Sequence, residues 1–282
     1  MSSIMTNVAA MTALKTLQQT NKALETTQSR ISTGYKVNDA ADNAAYWSIA
    51  TTMRSDNKAL STVQDALGLG SAKVDVAYTG MNAAIKVVDE IKTKLVAARE
   101  PGVDRSKVQE EITQLQNQLV SITTAAAFSG ENWLSVDSGD AAYSATKSIV
   151  ASFNRSSAGT VSVSTVDIDI SSTELFDAAD QSGILDTTFT TTGAGAATVS
   201  VSDLDITAAG IDNTDIDDMI SNVDGALASM STAAATLGAA KSRVSIQKDF
   251  VGELMNAIDR GISTLVDADM TAESTRLQAL QT

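Results

Sequence analysis

Apolar side chains recur every seven residues along two long stretches of this chain. Stepping by seven from Tyr46 meets Met53, Leu60, Leu67, Val74, Met81, Val88 and Leu95. A companion row three residues on runs Ile49, Asp56, Val63, Gly70, Ala77, Ala84 and Ile91, broken by a charge only at Asp56. Rows so spaced are the a and d positions of a helix packed along a left-handed supercoil, roughly 75 Å long at ~1.5 Å per residue. The pattern returns in Ile216, Val223, Met230, Leu237, Val244, Val251, Ile258 and Leu265, with Met219, Ala226, Ala233, Ala240, Gln247, Leu254 and Gly261 as its second row. Stripes of equal length, with Ala on both second rows, suit close side-by-side packing. Ordinary helical-bundle packing accounts for the stripes themselves.

Glu100-Pro101-Gly102 stops the first long helix, and Val108, Ile112, Leu115, Leu119 and Ile122 mark a third amphipathic one. The predicted arrangement is an antiparallel hairpin of helices over 46–128, joined by the helix from about 213. Asp39, Asp42 and Asn43 precede Tyr46, and such residues cap a helix start. Trp47 lies about 100° round the helix from Tyr46, off the seam. It packs either on a neighbouring helix of the same chain or on another subunit.

From about 135 to 215 the pattern changes. GTVSVSTVDIDI and ATVSVSDLDI alternate apolar and polar positions, so Val161, Val163, Val166, Ile168 and Ile170, then Val199, Val201, Leu204 and Ile206, read as half-buried strands. Twelve acids from Asp137 to Asp215 face only Lys147 and Arg155 here, which places most of the net charge of −14 on this insert. Asp167-x-Asp169 and Asp203-x-Asp205 lack the Gly and Glu of an EF-hand loop, and alternating Asp on a strand is a solvated face.

The ends differ again. Residues 1–33 carry Ile4, Val8, Met11, Leu14, Leu17, Leu24 and Ile31 on an amphipathic helix that is marginal alone in water and needs a partner. Leu277 and Leu280 make a short stripe at the other end.

Composition narrows the chemistry. Cys and His are both absent, which removes disulfides, thiolate chemistry, the usual general base and the commonest metal ligand. No phosphate-binding glycine motif occurs. The acidic balance argues against a nucleic-acid surface and an anionic membrane surface. No apolar run approaches a membrane span, and the start has neither the basic nor the apolar region of a cleaved signal, so any export uses a route without one. No enzyme activity, cofactor or metal is expected. The residues alone describe a self-assembling protomer, mainly α with a small β-rich insert. Its long antiparallel coiled-coil-like rod is formed by the N- and C-terminal arms, around a central variable outer domain.

Three separated stretches carry a resemblance: SRISTGYKVNDAADNAAYWSIATTMRSDNKAL, AAFSGENWL at 126–134, and LVDADMTAESTRLQALQT at the end. Together they resemble bacterial flagellin, and AYWSIATTMRSD is similar to its alphaproteobacterial branch. The resemblance implies a secreted, extracellular subunit of the flagellar filament, polymerising with itself, with an export chaperone and the flagellar cap as further partners. It assigns 1–41 as an inner-tube helix, 42–134 as rod helices, 135–212 as the outer domain, 213–268 as the returning rod helix and 269–282 as the start of a C-terminal inner helix. Trp47 and Arg54 are then expected at a subunit contact. The alternatives are a hook-filament junction protein sharing the same arms, and a flagellin-like surface binding module for polysaccharide, against which the scarcity of aromatics counts.

Three departures stand out. Tyr46 and Trp47 replace the smaller Gly and Leu of many flagellins. Asn43 stands where members recognised by immune receptors commonly have Asp, and LVAAREPG replaces their Arg-bearing patch, so weak receptor activation is expected. The family normally continues about two dozen residues beyond the point matching Leu280, and without them a frayed N-terminal helix and weak polymerisation are expected.

Overall fold

The protein is described by a computed structural model covering residues 7–156 and 158–282. It is mainly α-helical with a small β-rich insert. Among the described residues five helices, α1 (Val8–Thr33), α2 (Ala44–Ala98), α3 (Arg105–Ala125), α4 (Asn213–Val266) and α5 (Met270–Gln281), flank eight strands lying between α3 and α4.

The helix ends follow local chemistry. The Ala10 N–H donates to Asn7 Oδ1 at the start of α1, and Gly34, at φ 77°, takes the left-handed conformation that closes it. At the start of α2 the cap is Asn43, whose Oδ1 accepts the Tyr46 N–H at 3.1 Å. Asp42 instead accepts the N–H groups of Asn38 and Asp39, which hold its carboxyl below the ordinary value. Asp104 caps α3 and Asp269 caps α5.

Two compact units share α2 and α4. One takes the described part of Met1–Thr62 with Val251–Thr282. Its core is small: Val37, Ala50, Ile262 and Val266 are buried, with Met53, Ile258 and Leu265 packed against them. The turn after α1 is held by backbone, with the Lys36 and Val37 N–H groups donating to Val266 and the Ala268 N–H to Gly34, and by the Lys36 ammonium donating to the Thr264 carbonyl at 2.8 Å. α1 also packs along α5.

The other unit, Val63–Phe250, holds the larger core. Leu67, Val74, Met81, Val88 and Leu95 of α2, and Ile216, Val223, Met230, Leu237 and Val244 of α4, are fully buried. Each such side chain contributes about 1.5–3 kcal/mol of transfer free energy, before conformational entropy is counted. Ion pairs at the helix margins, Lys241–Asp75, Lys92–Asp224 and Arg99–Asp217, fall in one antiparallel register of α2 against α4. Lys94–Glu111 joins α2 to α3.

The insert lies on these helices as four two-stranded sheets. β1 (Ala127–Phe128) pairs with β2 (Glu131–Asn132), and β3 (Ser135–Val136) pairs in parallel with β6 (Phe176–Asp177). β4 (Thr146–Arg155) and β5 (Val161–Asp169) form the long antiparallel ribbon, with an irregularity between Val150 and Ser152. β7 (Phe189–Thr190) pairs with β8 (Thr198–Val199). Ile149 presses the ribbon against Gly70 of α2, and the Gln247 side chain of α4 donates to the Ala151 carbonyl at 2.9 Å.

Two strand expectations need correction. Val161 and Val163 are half exposed, and burial on β5 starts only at Val166. The stretch from Val199 to Ile206 is a strand only at Val199, the last residue of β8, then a 3-10 turn at Val201–Asp203 and coil, although Val201, Leu204 and Ile206 are all buried. The reason is α3. Gln109 donates to the Leu204 carbonyl and accepts the Ile206 N–H, and Gln116 donates to the Val201 and Leu204 carbonyls. Side chains thus take the backbone groups a ladder would have used.

Candidate functional site

The surface that stands out in the first unit is the outer row of α1. Val8, Met11, Leu14 and Leu17 are 58–74% exposed. Farther along the helix α5 covers one face: Thr27 is buried, Leu24 and Ile31 are half-buried, and Arg30 Nη1 donates to Glu273 Oε1 at 3.0 Å. Leu277 and Leu280 are half-buried. Ile4 lies outside the described residues.

A second exposed patch opens α2. Tyr46, Trp47 and Ile49 are 44, 37 and 48% exposed, whereas Leu60 on the same seven-residue row is buried. The Arg54 guanidinium lies 5.2 Å from the Tyr35 ring centroid, a cation–π distance. Met53, Ile258 and Leu265 are half-buried, and Val251 is fully buried.

Titratable groups of the insert are engaged in fastening it. The Tyr143 hydroxyl donates to Glu174, which together with burial pushes the phenol up to about 12. Burial raises Glu174 itself. Asp177 accepts the Ser138 and Ala179 N–H groups and the Ser182 hydroxyl, and these hold its carboxyl well below the usual range. Asp215 is fully buried, and its Oδ2 accepts the Asp212 and Gly195 N–H groups at 3.0 Å each. Carboxylates that each hold two or more donors from neighbouring loops in this way are structural clasps.

Sequence reasoning missed the Arg30–Glu273 pair and the exposure of Ile246 and Phe250 on α4. A Phe off both apolar rows, in the charged run KSRVSIQKDF, was the available signal for the second.

Long helices with apolar rows left open at one end, and clasped rather than reactive carboxylates, define a helical structural protein built to associate. The chain belongs to the bacterial flagellin family. Residues 4–138 match the bacterial flagellin N-terminal helical region and residues 220–282 the C-terminal helical region. Flagellin C of Rhizobium meliloti (strain 1021) is 53% identical over 298 aligned residues, covering 100% of this chain and 92% of that one. Flagellin A of the same strain is 44% identical, covering 100% and 94%. A flagellin of Brucella melitensis is also 44% identical, covering 100% and 91%. A solved flagellin of Bacillus cereus superposes weakly, at a TM-score of 0.33 and 14% identity over 77% of this chain and 94% of that one. The protein is a structural subunit of the extracellular flagellar filament, polymerising with copies of itself. Among the described residues no helix is long and apolar enough to cross a membrane.

Proposed function

We propose that the outer row of α1 is the principal burial surface of the filament, and that Trp47 and Arg54 lie at a contact between neighbouring subunits. The supporting observation is the 58–74% exposure of Val8, Met11, Leu14 and Leu17, four apolar side chains at helical spacing. A row of that kind costs free energy in water and gains it on any helix that covers it. In this reading 1–41 and 269–282 are the inner helices, 42–134 and 213–268 the rod, and 135–212 the outward domain. The rows from Leu60 to Leu95 and from Ile216 to Leu265 are the rod's internal seam, whereas Tyr46, expected to begin the first row, stands exposed at its open end. The protein catalyses nothing, and an export chaperone and the flagellar cap handle it before assembly.

Seeded growth tests the reading. Purified chain added to fragmented filaments in sulfate is expected to elongate them, seen by negative-stain microscopy and pelleting. Met11→Gln/Leu14→Gln is expected to abolish elongation while leaving the helical content unchanged. Elongation of this variant at the wild-type rate would refute the role of α1.

A further inference from the structure

Within the unit Val63–Phe250, α4 carries a large apolar pair that none of the described elements covers. Ile246 is 66% and Phe250 54% exposed, one helical turn apart. Beside them in the helix stand Arg243, Lys248 and Asp249, all exposed; at ~100° per residue Arg243, which also lies near Asp167 of β5, and Asp249 flank the pair, and Lys248 points away from it. The same unit also has an apolar trough. Val76, Gly80 and Ala83 of α2 face Ile122 and Ala125 of α3 across a cavity of about 420 Å³, the small residues leaving the space. It continues into a second cavity whose rim includes Lys86 and Glu90, again one charge of each sign and both exposed.

The two patches face different ways. Lys241 of α4 pairs with Asp75 on the trough wall at 2.7 Å, with its ammonium 5.7 Å from the Tyr78 ring centroid, so the Lys241 side of α4 is the side towards the trough. At ~100° per residue, Phe250 lies roughly 180° and Ile246 roughly 140° round the helix from Lys241. One copy therefore presents the pair and the trough at once, on opposed sides. A patch that fits a different patch on the next copy makes a heterologous contact, which runs on as an open helical polymer unless the rotation closes it into a ring, and does not end as a symmetric dimer.

We infer that Phe250 of one subunit seats in the α2–α3 trough of a second copy of this chain beside Ala83, and Ile246 in the trough's continuation between Lys86 and Glu90, with Arg243 meeting Glu90 and Asp249 meeting Lys86. The charge order on the two patches sets the α4 segment antiparallel to α2 of its neighbour. This inference rests on the filament reading and names one lateral contact within it.

Because the chain has no cysteine, engineered ones report the contact without background. Chains bearing only Phe250→Cys and chains bearing only Ala83→Cys are co-polymerised on seeds and oxidised. The expected product is a disulfide-linked heterodimer, formed in filaments and absent from the unpolymerised mixture. A Ser229→Cys chain, with its thiol elsewhere on α4, is expected to give none with Ala83→Cys. Mixed filaments by microscopy without the Phe250–Ala83 heterodimer would overturn the contact and leave the filament reading standing. Failure of the unaltered chain to grow on seeds would remove both. As a second measurement, Ile246→Gln/Phe250→Gln is expected to slow seeded growth at least tenfold with an unchanged circular-dichroism melt. Growth at the wild-type rate would equally overturn the inference.

Discussion

Arg30 and Glu273, 243 residues apart in the chain, meet at 3.0 Å and tie the N-terminal helix to the C-terminal one. The Glu273 side chain is only 11% exposed, so its charge depends on this partner more than a surface pair would. Removing Glu273 as Gln is expected to cost about 1–3 kcal/mol, the range for a hydrogen bond to a charged group. Hydrogen exchange should show the loss as faster exchange along α1 near Arg30. In the double variant Arg30→Met/Glu273→Met the cost should fall below the sum of the single ones, which a double-mutant cycle measures.

Gly70 is the point where the β4–β5 ribbon touches α2. A Cβ there would lie 2.4 Å from Ile149 Cγ2 and 2.7 Å from its Cδ1, and the β-branched Ile149 has little freedom to turn away. Gly70→Ala should therefore destabilise by about 1–3 kcal/mol despite the better helix propensity of Ala. Pairing it with Ile149→Ala should recover part of the loss in a thermal melt. A melt of the single variant at or above that of the unaltered chain would show that the ribbon is not seated on this glycine.

The Asp215 clasp sets an acid limit. The Asp212 N–H, the Thr191 hydroxyl and the Gly195 N–H hold its carboxyl down to about 2 against an ordinary 3.8. A depressed carboxyl contributes stability that is present above 3.8 and lost as pH falls through about 2. Asp215→Asn is thus expected to melt earlier than the unaltered chain at neutral pH. The gap should narrow as pH drops across that window. A gap that stays constant down to pH 2 would place the energetic role of Asp215 outside its charge.

At the alkaline end, Tyr143 is one of four tyrosines, and its hydrogen bond to Glu174 delays ionisation to about 12. Its raised value means that the bond's contribution is present below the ordinary 10.0 and is lost as pH rises through about 12. Tyrosinate absorbance should show a late step centred there, and a Tyr143→Phe chain should lack it.

The proposed contact at Trp47 is accessible to fluorescence. Trp133 is buried at 3% exposure and Trp47 is 37% exposed, so a Trp133→Phe chain reports Trp47 alone. Emission should shift to the blue on assembly. Unchanged emission in filaments, together with wild-type yield from Trp47→Ala, would exclude the contact.

Local chemistry was legible in the residues themselves. The seven-residue rows marked α2 and α4 as long helices because helical period is a property of neighbours three and four apart. Pro101-Gly102 marked the break for the same kind of reason, and the Asp39–Asn43 run marked the helix start, with Asn43 taking the cap. What tertiary structure alone decided is which apolar groups are covered. Val161 and Val163 alternate as well as Val166 and Ile168 do, yet only the second pair is buried. Leu204 and Ile206 are buried without a strand because Gln109, 95 residues away, takes the backbone bonds. Arg30 finds Glu273, and Ile149 finds Gly70, only once the turn at Gly34 and the helices bring them together. Periodicity says that a face is apolar, whereas its partner is set by long-range placement of the chain.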